Sequence, residues 1–175
     1  MSDTTVPFVH LRLHSEYSLC DSMVRIKPLM KAVSEQGQWA VGIGDAANVF
    51  ALVKFYRAAL GAGVKPLIGA EVVVRNDEGA EVVLLLYCRN REGFRRLSEI
   101  LTRAQLEGRG EDDEPRARVE WVQEAASDLE CIVCSADAAL GAALKSNDTV
   151  RARALLAPWI QAFSNHLWMS LERLG

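Results

Sequence analysis

The stretch "HLRLHSEYS", His10 to Ser18, sets two of the chain's three histidines four residues apart, with Arg12 midway between them. Read within a strand "FVHLRL" over 8–13, it projects His10, Arg12 and His14 from one face, because residues two apart on a strand share a side. Histidines spaced this way at a strand end are one way to hold a metal ion. The strand leads at its C-terminal end into the loop "SEYSLCDS", and that is the end at which barrel-like α/β folds keep their sites. Each histidine taken singly has a plainer reading, as a hydrogen-bonded structural residue, and this is the reading for His10 and His166. The pair Cys131 and Cys134 in "CIVC" suggests metal, yet residues three apart on a strand face opposite ways about 10 Å apart, so these read as buried, reduced thiols. Arg89, Arg91, Arg95 and Arg96 gather at a strand-to-helix junction. They read as a solvated face and as a candidate contact patch for DNA or a neighbouring domain.

The elements that must position these groups follow from apolar spacing. A helix over 26–37 carries Ile26, Leu29, Met30 and Val33 at i, i+3, i+4, i+7, tolerates Pro28 in its first turn and stops at Gly37. "WAVGIG" (39–44) is a strand, and Asn48 caps a helix over 49–61 whose inward face is Val49, Leu52, Val53 and Tyr56. A strand over 64–74, the turn formers "RNDEG" and a strand over 81–88 make a hairpin. A helix over 92–106 turns Phe94, Leu97, Leu101 and Ala104 inward. The charged stretch 107–118, with "EDDE" at 111–114, is a flexible loop. A strand over 129–136, a short helix "ALGAALK", a helix over 149–163 kinked or split by Pro158, and a strand over 166–172 complete the series. Strand and helix in alternation indicate parallel βα units, as an open sheet or a barrel. A chain that stops just behind a strand, without a covering helix, reads as a piece of something longer.

With 175 residues, 50% hydrophobic content and 25% charge, one domain with a proper core is expected. Nothing in the net charge of −3 suggests a free-standing nucleic-acid binder, which would normally carry a basic surplus against phosphates. No secretory leader and no run of roughly 20 apolar residues is present, so a cytoplasmic protein is expected. There is no glycine-rich phosphate loop.

Three runs, "FVHLRLHSEYSLCDS", "AVGIGDAANVFALVKFYRAALGAGVKPLIGAE" and "CRNREGFRRLSEIL", resemble the N-terminal PHP (polymerase and histidinol phosphatase) domain of bacterial DNA polymerase III alpha subunits. The likeness is dense over about 7–105 and looser beyond. It implies an α/β fold, a distorted, TIM-like β/α barrel incomplete at its C-terminal end here, spanning 1–175 with the polymerase domains absent. In metal-loaded members a cluster of ions sits at the barrel mouth, held by a first motif resembling "HLHxHS" whose ligands correspond to Arg12 and His14. A carboxylate matches Asp21, the histidine of "TDHGN" falls on Ala46, a bridging glutamate matches Glu71, and a histidine opening the next strand falls near Val83. Later ligand positions fall at Asp137 or beyond residue 175.

His14, Asp21 and Glu71 therefore survive, while Arg12, Ala46 and Val83 replace three ligands. Arg12 offers no lone pair at any working pH, and at an effective dielectric near 20 it would repel a neighbouring divalent ion by several kcal/mol, roughly. The expectation is a vestigial site with no metal and no catalytic residue, in which Arg12 pairs with Glu71, Asp21 or Asp45. By resemblance, the intact subunit is a DNA-directed DNA polymerase using magnesium outside this region, with DNA reached through the holoenzyme. The domain itself is then an inactive scaffold that helps hold the proofreading exonuclease (epsilon) subunit. The alternative is a residual metal-dependent phosphoesterase, a 3′–5′ exonuclease or pyrophosphatase, using His14, Asp21 and Glu71.

Overall fold

The computed structural model describes residues 8–19 and 21–171. In chain order the elements are α1 (Ile26–Glu35), β1 (Ala40–Ala46), α2 (Leu52–Gly61), β2 (Lys65–Arg75), β3 (Glu81–Cys88), α3 (Arg91–Glu107), β4 (Ala117–Arg118), α4 (Val119–Gln123), β5 (Leu129–Val133), α5 (Ala138–Lys145), α6 (Thr149–Phe163) and β6 (Leu167–Met169). The six strands form a sheet in the open order β1-β2-β3-β5-β6, with β4 paired to β2. The chain divides into two compact units, residues 1–69 and 70–175.

In the first unit, Ile26, Met30 and Val33 of α1 meet Val41 and Ile43 of β1 and Ala51, Phe55 and Ala59 along α2 in one buried cluster. Burying a side chain such as Phe55 contributes about 2–3 kcal/mol. Gly37 ends α1 at φ +67°, a conformation that a residue with a Cβ adopts only under strain. Two expectations fail here. The helix over 49–61 begins only at Leu52, since Asn48 Oδ1 accepts from Phe50 N and closes a turn before the helix starts. Its buried face is also a different one: Val53 and Tyr56 are exposed, while Ala51, Phe55 and Ala59 are buried. The helix carries two apolar rows, and the row whose alanines flank Phe55 packs closer.

The stretch 8–13 is not a regular strand. The carbonyls of His10 and Leu13 accept from Gly42 N (2.8 Å) and Gly44 N (2.9 Å) of β1. Three residue steps on one side thus match two on the other, and the chain bends at Arg12. That extra residue breaks the alternation on which a shared face for His10, Arg12 and His14 rested. His10 is exposed, its ring set edge-on to Phe8 at 4.8 Å.

In the second unit, Asn76 Oδ1 accepts from Glu78 N and Ala80 N and closes the turn between β2 and β3. That hairpin reverses the chain, so the sheet is mixed instead of uniformly parallel. β3 lies antiparallel to β5, with Leu86 opposite Cys131, whereas β5 and β6 run parallel, with Cys131 opposite Leu167. Helix α3 is capped by Asn90, which accepts from Gly93 N at 2.8 Å, and buries Leu97, Ile100, Leu101 and Ala104, with Phe94 half-buried. A Cβ at Gly93 would fall 2.2 Å from the Asp128 carbonyl oxygen, so the helix start approaches that backbone only as glycine. Within 107–118 both Arg109 and Arg116 are paired: Arg116 binds Glu81 and Asp112, and Arg109 binds Asp113. Its last residues form β4 on β2, Val74 opposite Ala117.

Helix α6 continues through Pro158, so the proline does not split it. Leu155, Trp159 and Phe163 are buried on either side of the proline, and Gln123 Nε2 reaches the Pro158 carbonyl at 3.4 Å. The strands expected over 129–136 and 166–172 shorten to Leu129–Val133 and Leu167–Met169, the second entered through a 3-10 turn over Ser164–His166.

Candidate functional site

The loop behind the bent segment is built on Asp45, near the C-terminal end of β1 and 2% exposed. Its Oδ1 accepts from Ser15 N (2.6 Å) and Ser18 Oγ (2.7 Å), and its Oδ2 from Ser15 Oγ (2.7 Å). Each serine then works a second time: Ser15 Oγ accepts from Tyr17 N and Ser18 Oγ from Ala46 N. Three donors on one buried carboxylate, two of them charge-assisted hydroxyl bonds, lock residues 15–18 onto the strand end. Asn48 adds a bond from Nδ2 to the Tyr17 carbonyl, and Ala47 between them adopts φ +52°.

His14 Nδ1 is bonded to Asp21 Oδ2, so two of the candidate ligands meet directly. Ser22 Oγ donates to the His14 carbonyl and fixes the backbone behind the ring. On the rim, Lys54 Nζ sits 2.6 Å from Glu16 Oε1 and 5.4 Å from the Tyr17 ring centroid. The Glu16 bond raises the Lys54 ammonium above its ordinary value. Ala46 ends β1 with no side-chain donor to offer, and Arg12 is exposed at the bend.

The remaining candidates lie in the second unit. Glu71 is half-buried on β2, Val83 is buried on β3, and Asp137 is half-buried just before α5. Among the described residues no group of three His, Cys, Asp or Glu side chains is arranged to take a metal ion. The donor chemistry agrees with that arrangement. The side chains of Arg12, Ala46 and Val83 offer no lone pair to an ion, and His14 Nδ1 is engaged by Asp21. As arranged, the described residues do not fit a metal cluster.

The arginine group is compensated from within. Arg95 is bonded to Glu92 and Glu99, Arg96 lies 3.2 Å from Glu92 and 3.6 Å from Glu99, and Arg89 lies 3.4 Å from Glu130 while donating to the Ser127 carbonyl. Arg91 alone of the four has no such partner among the described residues. Hydrogen bonding to Arg95 holds the Glu92 carboxyl below its usual range, and bonds from Asn90 and Ser127 do the same for Asp128. His166 has a partner that sequence reasoning missed: its Nδ1 is 3.0 Å from Glu130 Oε1, and Trp168 Nε1 donates to Glu130 Oε2 at 3.0 Å. Burial pushes the Cys88 thiol up to about 11 and lifts Cys131 further, so both are held as neutral thiols. No helix among the described residues is long and apolar enough to cross a membrane.

Comparison with known proteins adds three findings. The model of the PHP domain family matches residues 10–173. DNA polymerase III subunit alpha of Pseudomonas aeruginosa is 40% identical over 171 residues, covering 97% of this chain, and that of Haemophilus influenzae is 31% identical over 172 residues, covering 96%. The chain spans 14% of the length of each of these relatives. Among solved structures, an amidohydrolase from Chromobacterium violaceum superposes with a TM-score of 0.56 at 14% identity, covering 83% of this chain and 73% of the other, a likeness of fold alone.

Proposed function

The chain belongs to the PHP domain family, and from that premise we propose that it serves as the N-terminal PHP region of a replicative DNA polymerase III alpha subunit, acting as a scaffold that helps hold the proofreading exonuclease subunit. The template-directed synthesis, with its magnesium and deoxynucleotides, belongs in this reading to domains outside the region. The relatives support the origin, being alpha subunits matched over nearly the whole of this chain. One observation carries the scaffold reading: the Asp45 carboxylate, beside the lost ligand position Ala46, is committed on both oxygens to Ser15 and Ser18. A loop tied down in this way gives rigidity where metal-loaded members keep reactive groups.

In the same reading Arg12 supplies a fixed positive charge in place of an ion and satisfies a carboxylate at the mouth. The fragment then has no phosphoesterase activity of its own, and the subunit depends on a separate exonuclease. Calorimetric titration of the domain with the exonuclease subunit of the same organism tests this. Saturable binding that leaves phosphate release from pyrophosphate and nitrophenyl phosphate at background supports the proposal. Absence of binding by the domain and by the full alpha subunit refutes it, and activity abolished by His14→Ala establishes the phosphoesterase instead.

A further inference from the structure

Helix α2 is apolar on two sides, and only one of them is buried. Ala51, Phe55 and Ala59 enter the core, whereas Val53, Tyr56 and Leu60 are 61%, 45% and 57% exposed. These three stand at i, i+3 and i+7, one row about 10 Å long on the outer face of the helix. Phe50, exposed in the turn that leads into α2, adds to it. Past the other end of the helix, Lys65 N donates to the carbonyl of Trp39, and Lys65 Nζ lies 6.0 Å from the centroid of that exposed indole. Scattered exposed apolar residues are ordinary, but a row at this spacing is the pattern by which a helix anchors itself in a groove.

The charge on this face is of one sign. Residues 46–70 hold three basic side chains, Lys54, Arg57 and Lys65, and no Asp or Glu, in a chain with 23 acidic residues. Glu16 answers Lys54 at 2.6 Å. Arg57 is exposed, four residues after Val53 and three before Leu60, so it adjoins the apolar row. Neither Arg57 nor Lys65 has a carboxylate partner among the described residues. The surface that complements this face is an apolar groove with carboxylates on its rim. A second copy of this chain does not match it, because two such faces in isologous contact bring Arg57 toward Arg57. The acidic run "EDDE" at 111–114 of another copy has no apolar side chain to meet the row. A lipid surface calls for a broad apolar face, and the second apolar row of α2 is committed to the core.

We propose that the outer face of α2 is the surface on which the proofreading exonuclease subunit docks, with Val53, Tyr56 and Leu60 in an apolar groove of that subunit and Arg57 against acids at the groove's edge. The assignment rests on the scaffold reading and adds to it the face and the chemistry of the contact. Tyr56 is the anchor, a large side chain with an apolar ring to bury and a hydroxyl to bond, and Arg57 steers the encounter.

The test is surface plasmon resonance with the exonuclease subunit immobilised and the full alpha subunit that carries this chain in solution, as the parent and as Tyr56→Ala, Arg57→Glu and Leu106→Ala. All three side chains are exposed, so each variant should keep the fold, which its urea midpoint checks. Tyr56→Ala should bind about tenfold more weakly, chiefly through faster dissociation. Arg57→Glu should associate several-fold more slowly, with a difference from the parent that shrinks as salt is raised. Leu106→Ala, on α3, should bind as the parent does. Binding that neither α2 substitution changes, or that Leu106→Ala weakens equally, overturns the proposal and leaves the scaffold reading standing. Unchanged binding with a lower melting temperature of the full subunit in Tyr56→Ala also overturns it, and assigns the face to other domains of that subunit. A parent that binds no exonuclease refutes the scaffold reading and this assignment with it.

Discussion

Replacing Asp45 by asparagine tests the loop that carries the scaffold reading. The amide keeps one oxygen, which can still accept from Ser15 N and Ser18 Oγ, now at 2.6 and 2.7 Å from a charged oxygen. Its NH₂ replaces the oxygen that accepts from Ser15 Oγ, so that contact survives only with its direction reversed, and the Ser15 hydroxyl proton loses its acceptor. Hydrogen bonds to a charged group are worth about 1.5–3 kcal/mol and neutral ones about 0.5–1.5. Losing the charge assistance twice and the acceptor of the Ser15 hydroxyl comes to about 3 kcal/mol. For a chain of this length that lowers the melting temperature by about 6–12 °C. Ser15→Ala and Ser18→Ala should each cost less, about 1–2 kcal/mol, because the carboxylate keeps its other donors. Urea unfolding of the three variants, followed by tryptophan fluorescence, reads these differences. An Asp45→Asn variant within about 0.5 kcal/mol of the parent would refute the claim that the carboxylate organises this end of β1.

Three further outcomes follow from single residues. Ala47 holds φ +52° at a position where the family motif has glycine, so Ala47→Gly should stabilise by about 0.5–1 kcal/mol in the same urea assay. Burial alone would raise the Glu81 carboxyl, but hydrogen bonds from Arg116 and Arg75 outweigh it and hold it below the usual value. That stabilisation is complete above the unfolded pKa near 4.5 and disappears as pH falls through the depressed folded value, so the gap between parent and Glu81→Gln should be flat from about pH 6 to 7 and close on acidification below about 4.5. With its thiol raised to about 11, Cys88 is about 0.3% thiolate at pH 8.5, against about half for an ordinary cysteine. Peptide mass spectrometry should find it alkylated more than about a hundredfold more slowly in the folded protein than in urea.

Elements with one unambiguous apolar period were legible in the sequence. Ile26, Met30 and Val33 placed α1 and its buried face, Leu97, Leu101 and Ala104 placed α3, and the "RNDEG" turn formers placed the β2–β3 hairpin. The phase of α2 was not, because Val53 and Tyr56 form an apolar row as good as the one through Phe55, and only close packing of the alanines separates them. Pro158 signalled a break that the buried residues on both sides override. The site was half legible. The family motif drew attention to His14 and Asp21, which meet. The serine lock on Asp45 was hidden, as were the Glu130 bonds of His166 and Trp168. Hydrogen bonds between residues some 30 positions apart leave no period to read.

The central claim is that the metal site of this domain has been retired, and metal content tests it most directly. The chain is loaded with zinc, manganese or iron, dialysed without chelator and measured by inductively coupled plasma mass spectrometry, beside an Arg12→His, Ala46→His double variant that restores two donors. The account predicts far less than one equivalent of each metal in the parent and more in the double variant. One or more equivalents retained by the parent, and lost on His14→Ala, would contradict it.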